Sequence, residues 1–191
     1  YIMVDGEGNP NTAKEYKAAM EILYGLSFTI KMSKKSGKQP EGYFEYVVPP
    51  LEGLWWTDGE KFDGINNKNK EAFKWTSMIR QPEFVTEEVF QWAKSELQKK
   101  KPDLDFSTTR LEKLKEGLCA QIMHIGPYDN EPDTIKLLED FALKEGYKNA
   151  ISDQLPTGQI RNHHEIYLSD PRRTKPENLK TVIRHPIKKS N

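Results

Sequence analysis

Three short segments from the first half of the chain recur in the same order in the second half. The matched pairs are IMVDG at 2–6 with IMHIG at 122–126, PNTAKEYKAAMEIL at 10–23 with PDTIKLLEDFALKE at 132–145, and IRQP at 79–82 with IRHP at 183–186. One short match arises easily by chance, whereas three in the same order indicate a duplicated unit. We therefore expect two copies of one strand–helix–strand–strand unit.

Hydrophobic spacing predicts the individual elements. Residues 12–26 carry apolar side chains at helical spacing, and Gly25 is expected to break that helix near its end. Residues 86–101 begin with the cap candidate Thr86 and end in lysines, which is typical of a well-capped helix. Strands are predicted at 1–4, at 43–56 with an interruption at Pro49–Pro50, at 71–80, at 118–126, at 163–171 and at 180–187, with a further helix at 134–146.

These elements predict an α+β fold with pseudo-two-fold symmetry. The half-repeats would be about 1–85 and 105–191, joined by the helix at 86–101, and together they would form a single domain over 1–191. In that arrangement the helices lie on one side and the antiparallel sheets line a central ligand groove. Small-molecule pockets tend to lie at such a junction.

Composition narrows the class of partner. The chain has 29 basic and 29 acidic residues, and this balance argues against general binding of nucleic acid. Cys119 is the single cysteine, so no internal disulfide forms, which fits a reducing, cytoplasmic setting. No apolar run is long enough to span a membrane. The opening YIMVDG already reads as a strand, so residues before it are expected.

The stretch HHEIYLSDP at 163–171 places a carboxylate within a strand pattern. Alternation puts His163, Glu165, Tyr167 and Ser169 on one face, and His164, Ile166 and Leu168 on the other. If Ile166 and Leu168 belong to the core beneath the helices, Glu165 faces the groove; the alternative is a solvated glutamate. A deep aromatic groove would raise the pKa of Glu165 and make it a base, whereas a nearby tyrosine hydroxyl would keep it ionised.

Aromatic residues are candidates for the groove wall, although core packing is an alternative for each of them. The candidates are Tyr43, Trp55, Trp56, Trp75, Tyr128 and Tyr167. Because neighbouring strand residues point to opposite faces, Trp55 and Trp56 cannot both enter one core. At least one of these indoles is expected to face a groove or solvent. No metal site is expected, since adjacent strand histidines such as His163 and His164 diverge.

Three segments carry a resemblance to a known family. PLEGLWW, EGLCAQIMHIGPYDNEPDTI and HHEIYLSDPRRTKPENLKTVIRHPI resemble the GyrI-like small-molecule-binding proteins, relatives of the effector-binding domains of multidrug-sensing regulators. The resemblance covers nearly the whole chain and implies the duplicated fold with a ligand groove between its halves. No helix-turn-helix segment is visible, so the regulator form is not expected. Glu165 matches the carboxylate that the family carries at its pocket floor.

The resemblance also implies a function and roles for the site residues. Some GyrI-like proteins are similar enough to this one to imply a detoxifying hydrolase that opens cyclopropane-bearing, DNA-alkylating natural products. Glu165 would then activate water, with Tyr167 or Tyr128 donating a hydrogen bond. The ligand-binding residues would be Tyr43, Trp55, Trp56, Trp75 and His163.

Two other functions stay open at this point. One is a non-catalytic module that binds or sequesters hydrophobic or cationic drugs, and the other is a gyrase-interacting protein. For both the hydrolase and the non-catalytic binder, the partner is a small hydrophobic or aromatic ligand and no cofactor is needed. The protein is expected to be a monomer or weak homodimer.

Overall fold

The structure is a computed structural model that describes residues 1–59, 62–66 and 69–190. The described residues form three α-helices and eight β-strands. In chain order these are β1 Ile2–Glu7, α1 Lys14–Lys31, β2 Leu51–Trp56, β3 Lys74–Ile79, α2 Glu87–Lys100, β4 Thr109–Leu111, β5 Cys119–Ile125, α3 Glu131–Lys144, β6 Tyr147–Asn149, β7 His163–Tyr167 and β8 Lys180–Lys189. The predicted α+β class is confirmed. The order β1-α1-β2-β3 and the order β5-α3-β7-β8 both follow the predicted β-α-β-β sequence.

Two short strands escaped prediction. β4 and β6 have three residues each, which is too short for alternating hydrophobicity to be visible.

The contacts among the described residues divide the chain into two compact units. The first contains Tyr1–Leu51 and Thr76–Leu114, and the second contains Glu52–Trp75 and Lys115–Asn191. The predicted half-repeats of 1–85 and 105–191 remain a prediction.

The first unit contains α1 and α2 together with the strand order β4-β1-β3. β1 and β4 pair antiparallel, with Met3 opposite Arg110. α2 begins as predicted, because the Thr86 hydroxyl accepts a hydrogen bond from the Val89 N–H at 3.4 Å.

The predicted helix break at Gly25 is wrong, because α1 continues to Lys31. A β-carbon added at Gly25 would lie 2.8 Å from a methyl group of Leu97 in α2. The glycine therefore permits two helices to pack closely, and it does so without ending the helix in which it lies. The fully buried Leu23 and Leu26 on the same helix show that its apolar spacing continues through this position.

The second unit packs α3 on a sheet with the order β2-β7-β8-β5, and β6 pairs with β8. Its apolar core consists of Ala120, Ile135, Leu138, Ala142, Ile183 and Ile187. β8 pairs antiparallel with β5, β6 and β7, and Ile183 lies directly opposite Glu165. Since directly paired residues share a face of the sheet, Glu165 lies on the face that α3 covers.

The predicted orientation of β7 was therefore wrong. Ile166 is only half-buried and Leu168 is 48% exposed, so these two side chains do not form the core beneath the helix. The prediction ranked the two faces by hydrophobicity, but hydrogen-bonded polar side chains occupy the covered face.

Among the described helices, none combines the length and the apolar character that crossing a membrane would require.

Candidate functional site

Glu165 lies in the middle of β7 and is held by two neighbours on the same strand. Its side chain is 13% exposed. The His163 Nε2 is 2.8 Å from Oε1, and the Tyr167 hydroxyl donates to Oε2 at 2.5 Å. Residues two apart in a strand share a face, so the alternation of β7 alone brings these three side chains together.

Trp55 extends this chain of hydrogen bonds from β2. Its indole Nε1–H donates to the Tyr167 hydroxyl at 3.0 Å, so that hydroxyl accepts one hydrogen bond and donates another. A β-carbon on Gly53 would lie 2.8 Å from the Trp55 Nε1 and 3.2 Å from the Tyr167 oxygen. Glycine at 53 is therefore required for the indole to reach Tyr167.

A second carboxylic acid, Glu131, reaches the same place from α3. It is the first residue of that helix and is only 6% exposed, and its side chain forms a hydrogen bond with Glu165. Burial, reinforced by the negative charge of Glu165, raises the pKa of Glu131 to about 10. Glu131 is therefore a neutral acid at pH 7, able to donate its proton to Glu165.

The two carboxyl groups are shifted in opposite directions. Burial opposes the ionisation of Glu165, but the hydrogen bonds from His163, Tyr167 and Glu131 outweigh it and lower the pKa. The pair thus shares one proton, which resides on Glu131. A pair of carboxyl groups whose environments drive their pKa values apart provides an acid and a base in one site.

The sequence did not reveal Glu131. The predicted helix began at Thr134, so Glu131 was assigned to the preceding turn, where an acidic residue is ordinarily exposed. His124 in β5 fixes this turn, because its Nδ1 is 2.8 Å from the Thr134 Oγ1 and its Nε2 is 3.0 Å from the Pro127 carbonyl oxygen. An acid that follows a turn and begins a helix beside a strand glutamate is the signal that could have indicated Glu131.

Tyr128 lies at the more open side of this group. Its ring meets that of Tyr167 edge to face, with centroids 5.8 Å apart, and the residue is 37% exposed. Burial, followed by the charge of Glu165, raises the pKa of Tyr128 to about 12. Tyr128 therefore keeps its phenolic proton and can donate it to an acceptor on a ligand.

The structure thus brings together Glu165, Tyr167, Tyr128, Trp55 and His163, and it places the other predicted residues elsewhere. Trp56 is half-buried and follows Trp55 on the opposite face of β2, while Trp75 in β3 is fully buried. Tyr43 belongs to the first unit, where its hydroxyl donates to the Lys31 carbonyl oxygen and its ring packs on Phe84. Ligand contacts by these three residues remain predictions.

The opposite face of β7 carries a second polar group that the sequence did not reveal. His164 is fully buried, with Nε2 at 2.9 Å from Glu52 and Nδ1 at 2.7 Å from Glu116. Arg184 donates to the other oxygen of Glu116 at 2.7 Å. These partners overcome the effect of burial, so the pKa of His164 is raised and that of Glu116 is lowered.

Among the residues that the structure describes, no cluster of histidine, cysteine and acidic side chains could hold a metal ion.

Comparisons with known proteins agree with this architecture. A family model for the GyrI-like small molecule binding domain matches residues 1–188. An uncharacterized conserved protein from Listeria innocua is 47% identical, with a TM-score of 0.86 over 98% of this chain and 86% of that chain. A hydrolase from Listeria innocua is 45% identical, with a TM-score of 0.82 over 98% of this chain and 86% of that one. The C-terminal domain of EcmrR is 11% identical, with a TM-score of 0.51 over 99% of this chain and 92% of that chain, which is a likeness of fold alone. A comparison with curated protein sequences finds no match.

Proposed function

Because the chain belongs to the GyrI-like small-molecule-binding family, we propose that it hydrolyses cyclopropane-bearing, DNA-alkylating aromatic compounds. The observation that carries this proposal is the pair of adjacent carboxyl groups, in which contacts with neighbouring side chains lower the pKa of Glu165, while burial raises that of Glu131. Relatives at 45% and 46% identity are described as hydrolases, which supports the reaction class but not the substrate.

The proposed reaction adds one water molecule across a strained ring that is conjugated to a dienone. The water oxygen bonds to a ring carbon, the carbon–carbon bond of the cyclopropane breaks, and its electron pair moves into the dienone, which becomes a phenol. Glu165 takes one proton from the water, and the phenol oxygen takes one proton from Glu131. Transfer of a proton from Glu165 to Glu131 then restores the starting state.

The hydrogen bond between the two acids couples the two proton transfers. While Glu165 is negative, it holds the proton of Glu131 in a charge-assisted hydrogen bond. When Glu165 takes a proton from water, its charge disappears and that hydrogen bond weakens. Glu131 then becomes a better donor to the ligand at the moment when negative charge develops on the dienone oxygen.

The surrounding rings suit a flat aromatic ligand. Tyr128 offers a partly exposed ring and a protonated hydroxyl, and it is the more suitable of the two predicted tyrosine donors. The Tyr167 hydroxyl has one hydrogen, which it donates to Glu165, so that hydroxyl orients the base. Trp55 in turn holds Tyr167 through its indole N–H.

The test is turnover of a spirocyclopropyl dienone by purified protein, followed by mass spectrometry as the gain of one water. Glu165→Gln is expected to abolish most of the turnover while binding, measured by quenching of tryptophan fluorescence, persists. Glu177→Gln, at an exposed position, is the matched control and should behave as wild type. Binding of the compound by the wild-type protein without any product would refute the hydrolase proposal.

A non-catalytic binder of cationic drugs is the second candidate function. It is favoured by the net negative charge that the Glu131–Glu165 pair retains beside the exposed edge of Tyr128. In that case a flat cationic dye should bind more tightly than a neutral dye of the same shape, and Glu165→Gln should remove the difference. Equal affinities for the two dyes in the wild-type protein would exclude this function.

A further inference from the structure

The hydrogen-bond chain that begins at Glu165 continues beyond His163. The Nδ1 of His163 is 2.7 Å from the Nε2 of His185 in β8, and both imidazoles are buried. On its far side, the Nδ1 of His185 is 3.8 Å from a carboxylate oxygen of Glu139, which also accepts a hydrogen bond from Asn149 at 2.7 Å. Two buried rings therefore link the carboxylate of the site to a partly exposed acid on α3.

A small cavity adjoins the Glu139 end of this chain of hydrogen bonds. Its volume is about 110 Å³, its polar lining is Glu139, Asn149 and His185, and the rest of its wall is aliphatic. A water molecule occupies about 30 Å³ of liquid, so the space is large enough for water beside polar partners. His185 therefore borders, on the side away from His163, a space that can hold water.

The direction of each hydrogen bond follows from an ionised Glu165 and a neutral His163. An ionised carboxylate only accepts hydrogen bonds, so the Nε2 of His163 must carry the proton in the contact with Glu165. A neutral imidazole has one N–H, and the Nδ1 of His163 must then accept a hydrogen bond. With His163 neutral, the donor across this 2.7 Å contact is the Nε2–H of His185.

We propose that His185 is a positioning residue for Glu165, which fixes His163 in the tautomer whose Nε2–H donates to the carboxylate. This inference rests on Glu165 being the base of the proposed hydrolysis. The partner of one ring nitrogen decides which tautomer the other nitrogen presents. Without the donor on His185, His163 can place its proton on Nδ1, and its Nε2 would then oppose Glu165 with a lone pair.

The expected pH dependence involves the ionisable groups that surround this chain of hydrogen bonds. The groups facing Glu165 are His163 and Tyr167 from β7, Glu131 from α3 and Tyr128 from the preceding turn, and Glu139 from α3 faces His185. Of these, only His163 changes its hydrogen-bonding role when His185 is replaced. A changed ionisation of Glu165 in such a variant can therefore be traced to His163.

The test combines a spectroscopic readout with a pH profile. Long-range proton–nitrogen NMR spectra of ¹⁵N-histidine-labelled wild-type protein should show His163 protonated at Nε2 and unprotonated at Nδ1 at neutral pH. His185→Leu removes the donor at similar volume, whereas His185→Gln keeps an N–H donor near the position of Nε2. The Leu variant should show a mixture of His163 tautomers, and the Gln variant should show the wild-type tautomer.

Turnover gives the second readout. In His185→Leu the acidic limb of kcat/KM should move up by about one pH unit, which means an approximately tenfold slower reaction at pH values below the limb, while KM changes little. His185→Gln should restore the wild-type limb. A doubly protonated or Nδ1-protonated His163 in the wild-type spectrum, or an unchanged spectrum and acidic limb in the Leu variant, would overturn the inference. If the wild-type protein has no turnover, the proposed function fails, and the NMR spectra still decide the role of His185.

Discussion

The two faces of β7 each bury a histidine against carboxylates, but they balance charge in different ways. On one face, Arg184 and His164 contact the carboxylates of Glu52 and Glu116, which raise the pKa of His164. On the other face, Glu165 contacts His163, Tyr167 and Glu131, and the last two of these are neutral donors. The first set balances two carboxylates against an arginine and a histidine, whereas in the second a carboxylate lies beside a neutral acid that carries a mobile proton. The comparison indicates that a balanced network supports the fold, and that an unbalanced one is available for chemistry.

The largest expected effect comes from replacing one carboxylate on each face. Glu165→Gln should lower kcat by about 10²–10⁴-fold, the usual contribution of a positioned general base. Glu52→Gln, on the balanced face, should leave the kcat of the folded protein close to wild type. Single-turnover measurements on both variants make the comparison, and a similar loss in the two would remove the functional distinction between the faces.

Stability should respond in the opposite way. Glu116→Gln leaves the buried His164 and the partly buried Arg184 without their shared anion, so the free energy of unfolding should fall by about 3 kcal/mol. Glu165→Gln should cost less, because a glutamine oxygen still accepts from Tyr167. Urea unfolding followed by tryptophan fluorescence measures both changes. A larger loss in the Glu165 variant would show that the balanced face does not dominate stability.

The proton on Glu131 should also make the stability of the protein depend on pH, which is a smaller effect. Because folding raises the pKa of Glu131 to about 10, its contribution to stability is fully present below its unfolded pKa and is lost as pH rises toward 10. Glu131→Gln mimics the protonated acid and should remove this loss, giving a variant at least about 1 kcal/mol more stable than wild type at pH 8. Thermal unfolding from pH 5 to pH 9 tests this, with Glu177→Gln as the exposed control. Parallel profiles for wild type and Glu131→Gln would contradict a neutral Glu131.

Trp55→Phe should have the smallest effect. It deletes the indole N–H that holds Tyr167 but keeps most of the ring packing on Phe73, so we expect a loss of about 1 kcal/mol in unfolding free energy. Turnover should fall moderately, since Tyr167 still donates to Glu165. A loss of turnover as large as that of Glu165→Gln would show that Trp55 acts on the ligand directly.

The sequence predicted well whatever depended on local pattern. Thr86 starts its helix as expected, and strand alternation correctly grouped Glu165 with Tyr167 and His163. It failed where a distant residue decides the outcome. Gly25 was predicted to break the helix, because the residue that explains the need for a glycine there, Leu97, lies far away in the sequence.

The same limit applies within the candidate site. Glu131 gains its raised pKa only when α3 places it beside Glu165, and no spacing along the chain contains that information. The choice of the covered face of β7 failed for a related reason. Hydrophobicity favoured Ile166 and Leu168, whereas the pairing of Glu165 with Ile183 in β8 determines which side chains lie beneath α3.

The pairing of β7 with β8 has a consequence for how this protein can vary. Because alternate residues of a strand face opposite ways, deleting or inserting one residue within His163–Tyr167 would exchange the two polar clusters and destroy both together. Changes in the length of the 168–179 connection need not shift the paired residues. Natural and engineered variants should therefore tolerate indels in that loop and almost none inside the five-residue strand, whatever compound the protein accepts.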